Sequence, residues 1–245
     1  MSDANRHAEA ILSAVPDEPF GTRLGEWFDA SMNILREAER DDFDLAAVPV
    51  DLERATAAPT GPFGRYASSE WRRLVAAMLL ADWSCYVEPI DWMSFERLAF
   101  MAHVFPAGFR VWWARHRTSG SWLPVGYTAW HPISETAFVT LEQSAHTLHD
   151  RTLIPLPSVT PGASFICIVN FSVVASLRKT LLSKQLLRSL AEDLAEADAA
   201  GLAAFAVSED GARVLGRFGL KRSGTLHIGL VDEWVFTCRR GEATS

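Results

Sequence analysis

The chain has few cysteines, no long apolar run and no excess of positive charge, and each of these absences excludes a class of protein. Its three cysteines, Cys85, Cys167 and Cys238, cannot all pair, and none stands at a CxxC or cysteine–histidine spacing. Neither a disulfide framework nor a structural zinc site is therefore predicted. No run approaches the roughly 20 apolar residues that span a bilayer, and the start of the sequence lacks the basic and apolar stretches of a secretory signal. We therefore expect a soluble, cytoplasmic protein without a membrane span.

The charge and the missing signature motifs narrow the possible partners. The formal net charge is -7, whereas binding to nucleic acid needs a basic surface that displaces counterions from phosphates. Nucleic acid is therefore not an expected partner. The sequence has no GxSxG, P-loop or GxGxxG signature, so serine hydrolase, NTPase and Rossmann oxidoreductase functions have no motif support. With 49% apolar and 11% aromatic positions among 245 residues, the composition is that of a globular protein.

The first hundred residues indicate helices. Helical patterns occur near residues 25–40, from Ser69 onward with a serine cap, and over residues 94–104. Eight of the nine tryptophans precede residue 131, which indicates either an aromatic core or a pocket for an apolar ligand. We divide the chain into an N-terminal helical extension at residues 1–62 and a main domain at residues 63–245.

After Pro106 the pattern changes to strands. FRVWWARH and WLPVGYTAW, separated by a polar turn, predict an antiparallel hairpin. AFVTL, at residues 137–141, is a possible third strand, and residues 142–162, with three prolines, predict an irregular connection. SFICIVNFSVV then has the continuous apolar character of a strand covered on both faces.

The last part of the chain alternates strands with helices. The apolar strand passes through ASLRKT into a leucine-rich helix whose end is marked by Gly201. LAAFAV follows as a strand, and Ser208 caps a short helix that Gly219 terminates. We interpret HIGLVDEWVFTCR as one last strand. The predicted order is β-α-β-α-β.

The start of the leucine-rich helix is a candidate anion site. A helix N-terminus presents unpaired N–H groups and about half a positive charge, so a phosphate binds there readily. Arg178, Lys179 and Lys184 would reinforce such a site. They are equally well explained as solvated charges at the start of an amphipathic helix.

The order of elements, together with VLGRFGLKR at residues 214–222, resembles the second half of the GNAT acetyltransferase superfamily over about residues 109–238. The resemblance implies an α/β (α+β) fold with a mixed, mostly antiparallel sheet flanked by helices, here with the N-terminal helical extension. It implies an acyl-CoA or acetyl-CoA donor bound at the strand–turn–helix. The donor-binding residues that follow from it are Val173, Arg178, Lys179, Thr180, Leu181, Leu182, Ser183, Lys184 and Ser208.

Two family motifs are altered in this sequence. The family's turn reads Arg/Gln-x-x-Gly-x-Gly/Ala, and its glycines let backbone amides approach the phosphates. Arg178 matches the first position, but Leu181 and Ser183 occupy the glycine positions. Many members use a tyrosine in the short helix to protonate the leaving thiolate, and Leu215 stands there. The family's carboxylate base would fall near Val169 or Asn170.

A second stretch is similar to bacterial toxin-activating lysine acyltransferases. LAFMAHVFPAGF, followed by RVWWARH and LPVGYTAWHPIS, matches the region of those proteins in which a strand follows a helix. They have a GNAT-like fold, lack the glycine-rich turn and take a fatty acyl group from acyl carrier protein. Their catalytic histidine lies in a Pro-x-His segment, where EPIDW here supplies Asp91. This similarity adds acyl carrier protein as a possible donor.

The candidate catalytic residues are His131 and Asn170. His131 ends the strand that should flank the thioester, and histidine is a residue type suited to a general base near neutrality, whereas a hairpin histidine without catalytic duty is the plainer interpretation. Asn170 could hydrogen-bond the amine or the thioester carbonyl, or be satisfied by backbone. A second group combines two histidines with two carboxylates at Glu142, His146, His149 and Asp150. If this stretch is helical, Glu142 and His146 lie one turn apart on one face, where the carboxylate could orient the imidazole or bind a metal. The two histidines have no third ligand in view, and no metal is expected. Cys167 lies between isoleucines and indicates inert packing.

These observations predict an N-acyltransferase that moves an acyl group from a thioester donor, acyl-CoA or acyl carrier protein, to an amine acceptor of unknown identity. The altered turn and the missing tyrosine support an alternative, a catalytically inactive GNAT-like protein that binds an acyl carrier or a protein partner. A purely structural interaction module is the third possibility.

Overall fold

The structure, a computed structural model, describes residues 15–16, 22–53, 69–86, 89, 92–144, 153–228 and 231–241. The helices in this part of the chain are α1 (Thr22–Glu37), α2 (Ser69–Cys85), α3 (Phe95–Val104), α4 (Glu135–Ser144), α5 (Leu181–Ala197) and α6 (Glu209–Arg217). The strands are β1 (Val48–Asp51), β2 (Phe109–Arg115), β3 (Trp122–Ile133), β4 (Phe165–Val173), β5 (Gly201–Ala206), β6 (Lys221–Ile228) and β7 (Val231–Arg239). No helix among the described residues is long and apolar enough to cross a bilayer.

The chain forms two compact units. The first comprises Met1–Thr128 and Phe171–Arg188, and the second comprises Ala129–Asn170 and Ser189–Ser245. The strands β3 and β4 and the helix α5 therefore each contribute residues to both units.

The first unit contains neighbouring strands in the order β1-β2-β3-β4. The pairing of β1 with β2 is antiparallel, from Val48 opposite Trp113 to Asp51 opposite Arg110. Helix α2 is buried along nearly its whole middle, because residues 74–82 all lie in the interior. The core of the first unit includes side chains from helices and strands, among them Leu80, Trp112, Val125 and Leu186.

The second unit contains strands in the order β3-β4-β5-β7-β6. The pairing of β4 with β5 is parallel, whereas β5 with β7 and β6 with β7 are antiparallel. Phe138 and Leu141 of α4 pack with Phe165 and Cys167 of β4 and Val235 of β7. The mixed, mostly antiparallel sheet with flanking helices that the sequence predicted is confirmed.

Short-range signals located most helices correctly. The Ser94 side chain accepts a hydrogen bond from the N–H of Arg97 at the start of α3, and the Ser208 side chain does the same for Gly211 at the start of α6. Both serines act as N-caps, which satisfy amide groups that a helix leaves unpaired. The leucine-rich helix ends at Ala197 rather than continuing toward Gly201, and Asp198 takes the left-handed conformation with φ 47°.

Two predicted elements were wrong. AFVTL is not a strand but lies in α4, because the Ser134 hydroxyl caps the helix by accepting from the N–H of Ala137. Phe138 and Leu141 then face the core at helical spacing, and this tertiary packing overrides the strand preference of the β-branched residues. HIGLVDEWVFTCR is not one strand but parts of two, β6 and β7, paired antiparallel with Ile228 opposite Val231. Its apolar pattern continues across the hairpin, so hydropathy alone gave no break.

Candidate functional site

The connection between β4 and α5 forms a tight turn in the first unit. A 3-10 turn at residues 175–177 follows β4, and Lys179 takes the left-handed conformation with φ 63°. The Thr180 hydroxyl donates to the carbonyl oxygen of Leu177 at 2.7 Å, and the Ser183 hydroxyl donates to the carbonyl oxygen of Thr180 at 2.9 Å. These bonds hold the first turn of α5 against the preceding residues. The succession of strand, turn and helix is the one that the sequence predicted.

Arg178 joins this turn to the end of α2. Its Nε donates to the carbonyl oxygen of Val173 at 3.2 Å, and its Nη2 donates to the carbonyl oxygen of Cys85 at 2.9 Å. The second carbonyl lies at the C-terminus of α2, where unpaired carbonyls and the helix dipole favour a cation. Arg178 therefore has a structural role that the sequence did not reveal. Its other N–H groups remain as donors, since a guanidinium carries five.

A cavity of about 720 Å³ lies beside this turn, entirely within the first unit. Its charged lining consists of three arginines and one glutamate: Arg36, Glu39, Arg40 and Arg178. The remaining lining residues are Leu35, Ala38, Ser84, Cys85, Tyr86, Ala175 and Ser176. The cavity combines apolar walls with a local excess of positive charge.

The cysteine that lines this cavity is chemically quiet. Burial raises the pKa of the Cys85 thiol to about 12, although hydrogen bonds with Ser172 and Ser84 and the charge of Arg178 lower it. The thiol is therefore protonated at neutral pH, whereas a cysteine nucleophile or metal ligand acts as the thiolate.

The residues predicted to bind a donor differ in their surroundings. Val173, Thr180 and Leu182 are buried, Ser183 is half-buried, and Lys179 and Lys184 are exposed. Leu181, at the first glycine position of the family's turn, is 58% exposed. The core thus does not absorb the bulk of Leu181, which stays at the surface where α5 begins. Ser208 belongs to the second unit, and its hydroxyl caps α6.

His131 and Asn170 both lie in the second unit and are buried. His131 is 1% exposed and stands within β3, two residues before the strand ends, with Nδ1 at 3.2 Å from the carbonyl oxygen of Pro132. Asn170 is 6% exposed and lies on β4. Each side chain makes further contacts inside the protein. A base at His131 would therefore work in a site that excludes most of the bulk water.

The parallel strands β4 and β5 pair over only part of their length. Their register runs from Phe165 opposite Gly201 to Ile168 opposite Ala204. Beyond that point β4 continues to Val173, while Phe205 and Ala206 of β5 pair only with β7 among the registers of the described strands. The ladder between these two parallel strands therefore ends two residues before Asn170. An unpaired strand edge offers N–H and C=O groups to an extended ligand.

The other candidate residues that the structure describes pair or pack with neighbouring residues of the protein. Glu142 accepts hydrogen bonds from Nε and Nη2 of Arg239, while His146, His149 and Asp150 lie outside the described residues. Cys167 is buried in the core of the second unit. Leu215 is 0% exposed, so α6 presents an apolar side chain where the family has its tyrosine. Among the described residues, no cluster of histidine, cysteine and carboxylate side chains could hold a metal ion.

One buried polar pair was not predicted from the sequence. The Tyr127 hydroxyl donates to Oδ1 of Asp82 at 2.8 Å, and the N–H of Met93 donates to Oδ2 of Asp82 at 2.7 Å. Burial, followed by the negative charge of Asp82, raises the pKa of Tyr127 well above 10.0. The only signal was a single aspartate inside the apolar run VAAMLLADW. The pair ties α2 to β3 and to the segment before α3.

The early tryptophans serve mainly the core, where Trp71, Trp112 and Trp113 are buried, while two others form an aromatic cluster. The rings of Trp83 and Trp92 stack with centroids 4.9 Å apart, and Phe28 of α1 meets Trp83 edge-on at 5.1 Å. The guanidinium of Arg36 lies 5.9 Å from the centre of the Trp92 ring. Through Phe28 and Arg36, α1 thus contacts the end of α2 and the segment that follows it.

The structure is similar to several solved structures. One is the NatC complex bound to Gag peptide and CoA, at 10% identity and a TM-score of 0.47, covering 68% of this chain and 90% of that one. The loading GNATL domain of CurA from Lyngbya majuscula is 12% identical, with a TM-score of 0.49 and coverage of 67% and 92%. Ard1 from Thermoplasma volcanium is 10% identical, with a TM-score of 0.45 and coverage of 68% and 91%. No family model and no curated protein matches the chain.

Proposed function

We propose that this protein is an N-acyltransferase that moves an acyl group from an acyl-thioester donor to an amine. The observation that carries the proposal is the parallel β4–β5 pair, whose ladder ends at Ile168 opposite Ala204 although both strands continue. The arm of a pantetheine thioester is extended and contains amide groups, so it can pair with a strand edge as a peptide does. We propose that such an arm pairs with the strands where their ladder ends, two residues before the buried Asn170.

A separate feature of the first unit supports an anionic donor. The start of α5 offers backbone N–H groups and the positive end of a 17-residue helix, with Lys179 and Lys184 exposed nearby. Together these groups favour a phosphate. Acyl-CoA and the phosphopantetheine of acyl carrier protein both carry one, and acyl-CoA, including acetyl-CoA, is the donor that we propose first.

The chemistry assigned to the second unit is addition of the amine to the thioester carbonyl. The amine nitrogen forms the new C–N bond, the C–S bond breaks, and the amine proton passes to a base, for which we propose His131. The side-chain N–H of Asn170 would donate to the carbonyl oxygen as negative charge develops there. Because Leu215 replaces the tyrosine, the leaving thiolate would take its proton from water; a thiol of ordinary pKa near 8.5 leaves without a strong acid.

A second candidate function has its own supporting observation. Leu215 is completely buried and Leu181 projects its bulk at the start of α5, so two positions that serve catalysis and donor binding in the resembling family have lost those groups. A catalytically inactive protein that binds an acyl carrier or a protein partner would tolerate both changes.

Donor binding is tested by calorimetry and thermal melting with acetyl-CoA, longer acyl-CoAs and acyl carrier protein. A bound donor raises the melting midpoint by mass action. We expect Lys184→Glu, in the first turn of α5, to weaken binding roughly tenfold, because it replaces a positive charge near the phosphate with a negative one. Charge effects at a helix start fade within one turn. Arg188→Glu, one turn further along the same helix, is the matched control and should change binding little. Equal effects of the two variants would contradict a site at the start of α5.

Turnover separates the two candidate functions. Free thiol is measured with each thioester and a panel of primary amines, for the wild type and for His131→Ala. We expect His131→Ala to lower kcat at least a hundredfold while donor affinity stays unchanged. Donor binding without turnover for any amine would favour the inactive protein, and absence of binding to every thioester would refute both donor-based functions.

A further inference from the structure

The cavity beside the β4–α5 turn is built largely by residues outside the region that resembles acetyltransferases. Arg36 belongs to α1, and Glu39 and Arg40 follow it. A volume of about 720 Å³ lies within the range of about 300–1,000 Å³ that small-molecule sites occupy. The cavity therefore has the size of a binding site, and the N-terminal helix supplies one of its walls.

The charge of this cavity is opposite to that of the whole protein. Three guanidinium groups and one carboxylate line it, whereas the chain as a whole carries a formal charge of -7. Within the part of the chain that the structure describes, neither Arg36 nor Arg40 forms an ion pair. Nearby, the Asp42 carboxylate accepts from the N–H of Glu39 at 2.8 Å. Two arginine heads are thus left without a partner charge at one cavity.

Two of the three arginines in this lining contact neighbouring groups that restrict them. Arg36 lies over the Trp92 ring, and Arg178 is held by the carbonyl oxygens of Val173 and Cys85. An arginine whose stem and some of its donors are already fixed loses less conformational entropy when it binds an anion. The cavity is therefore partly organised for a ligand before the ligand binds.

A buried polar atom of this lining lacks a partner. The Ser176 hydroxyl oxygen is buried and, among the described residues, has no hydrogen-bond partner. Buried hydroxyl groups are nearly always bonded, so this hydroxyl is a donor held in reserve behind the cavity wall. Ser176 and the three arginines line the same cavity.

We propose that this cavity binds a phosphate-bearing molecule of about nucleotide size, with Arg36, Arg40 and Arg178 as its guanidinium ligands. Planar guanidinium groups match phosphate oxygens in pairs, and several of them suit a group of more than one negative charge. The phosphates belong either to the nucleotide portion of a CoA donor or to a free nucleotide. In the first case the inference rests on the proposed function and extends the donor site to α1; in the second it is independent of acyl transfer.

The test is calorimetry at low salt with four probes: CoA, adenosine 3′,5′-bisphosphate, ADP and inorganic pyrophosphate. We expect Arg36→Ala and Arg40→Ala each to weaken binding of the nucleotide probes at least tenfold, because each removes a charge-assisted contact. Arg23→Ala is the matched control, since Arg23 lies exposed on the same helix and does not line the cavity. Melting midpoints without ligand verify that all variants fold.

The results distinguish this inference from the proposed function. Loss of CoA affinity in both arginine variants would assign the cavity to the donor, and loss of ADP affinity with unchanged CoA affinity would assign it to a free nucleotide. Unchanged affinity for every probe would overturn the inference while leaving acyl transfer intact. Absence of binding by the nucleotides and pyrophosphate would also overturn it when CoA binds the wild type and both arginine variants equally. Nucleotide binding that depends on Arg36 and Arg40 in a protein that binds no thioester would support the cavity and refute the proposed donor.

Discussion

Cys85 makes the folded protein sensitive to high pH. Burial raises the pKa of its thiol from 9.0 to about 12. Between these values the unfolded chain releases the thiol proton and the folded chain keeps it, so the free energy of unfolding falls as the pH rises; below about pH 9 the full contribution is present. The slope of this loss is about 1.4 kcal/mol per pH unit for one group. Between about pH 8 and about pH 10 the loss is therefore about 1.4 kcal/mol.

The assay is urea unfolding of the wild type, Cys85→Ala and Cys85→Ser at these two pH values. Neither alanine nor serine titrates in this window, so both variants should lose about 1.4 kcal/mol less than the wild type between the two pH values, whatever their stability at neutral pH. Groups shared by all three proteins, Tyr127 among them, cancel in the comparison. An identical pH dependence in the wild type and both variants would show that Cys85 is not buried as a protonated thiol.

Two further changes test the packing around β3. Tyr127→Phe should lower the free energy of unfolding by about 1–3 kcal/mol, because the buried Asp82 carboxylate loses a donor; urea unfolding measures this, and a double-mutant cycle with Asp82→Asn should show coupling between the two side chains. Gly126→Ala should cost about 1–3 kcal/mol, because an added Cβ would lie 2.5 Å from the Ser172 carbonyl oxygen. Gly216→Ala in helix α6 is the control, because the added Cβ would meet nothing within 4 Å; this change should be neutral or stabilising. Equal losses of stability in the two variants would contradict close packing of β3 on β4.

The fold could be predicted where the signal was local. Serine caps, helical apolar spacing and the buried strand before a leucine-rich helix each depend on residues within about one or two turns, and Ser94 and Ser208 cap the helices where the sequence placed them. AFVTL was misassigned because its β-branched residues favour a strand locally, whereas burial of Phe138 against Phe165 stabilises a helix. That contact joins residues far apart in sequence.

The candidate site was predictable only in part, for the same reason. Resemblance located the turn before α5 but not the bonds by which Arg178 holds the backbone at Cys85 and Val173. The cavity draws on three separated stretches, residues 35–40, 84–86 and 175–178, and no periodicity links them. Asp82 could have been suspected as a polar residue in an apolar helix, but its partner Tyr127 is 45 positions away.

The β4–α5 turn keeps a strained backbone without a glycine at its centre. Lys179 adopts the left-handed conformation, φ 63°, which is costly for a residue with a Cβ and is usually left to glycine. Thr180 and Ser183 bond to backbone carbonyls of this segment, and such local bonds help to hold the strained backbone. The lysine thus keeps the turn that leads into α5 and adds a charge near the helix start. With Leu181 exposed beside it, the anion recognition that we propose would depend more on side-chain charge than on close approach to bare amides. The arginines that line the neighbouring cavity would act in the same way, so cationic side chains would serve here where the resembling family has glycines.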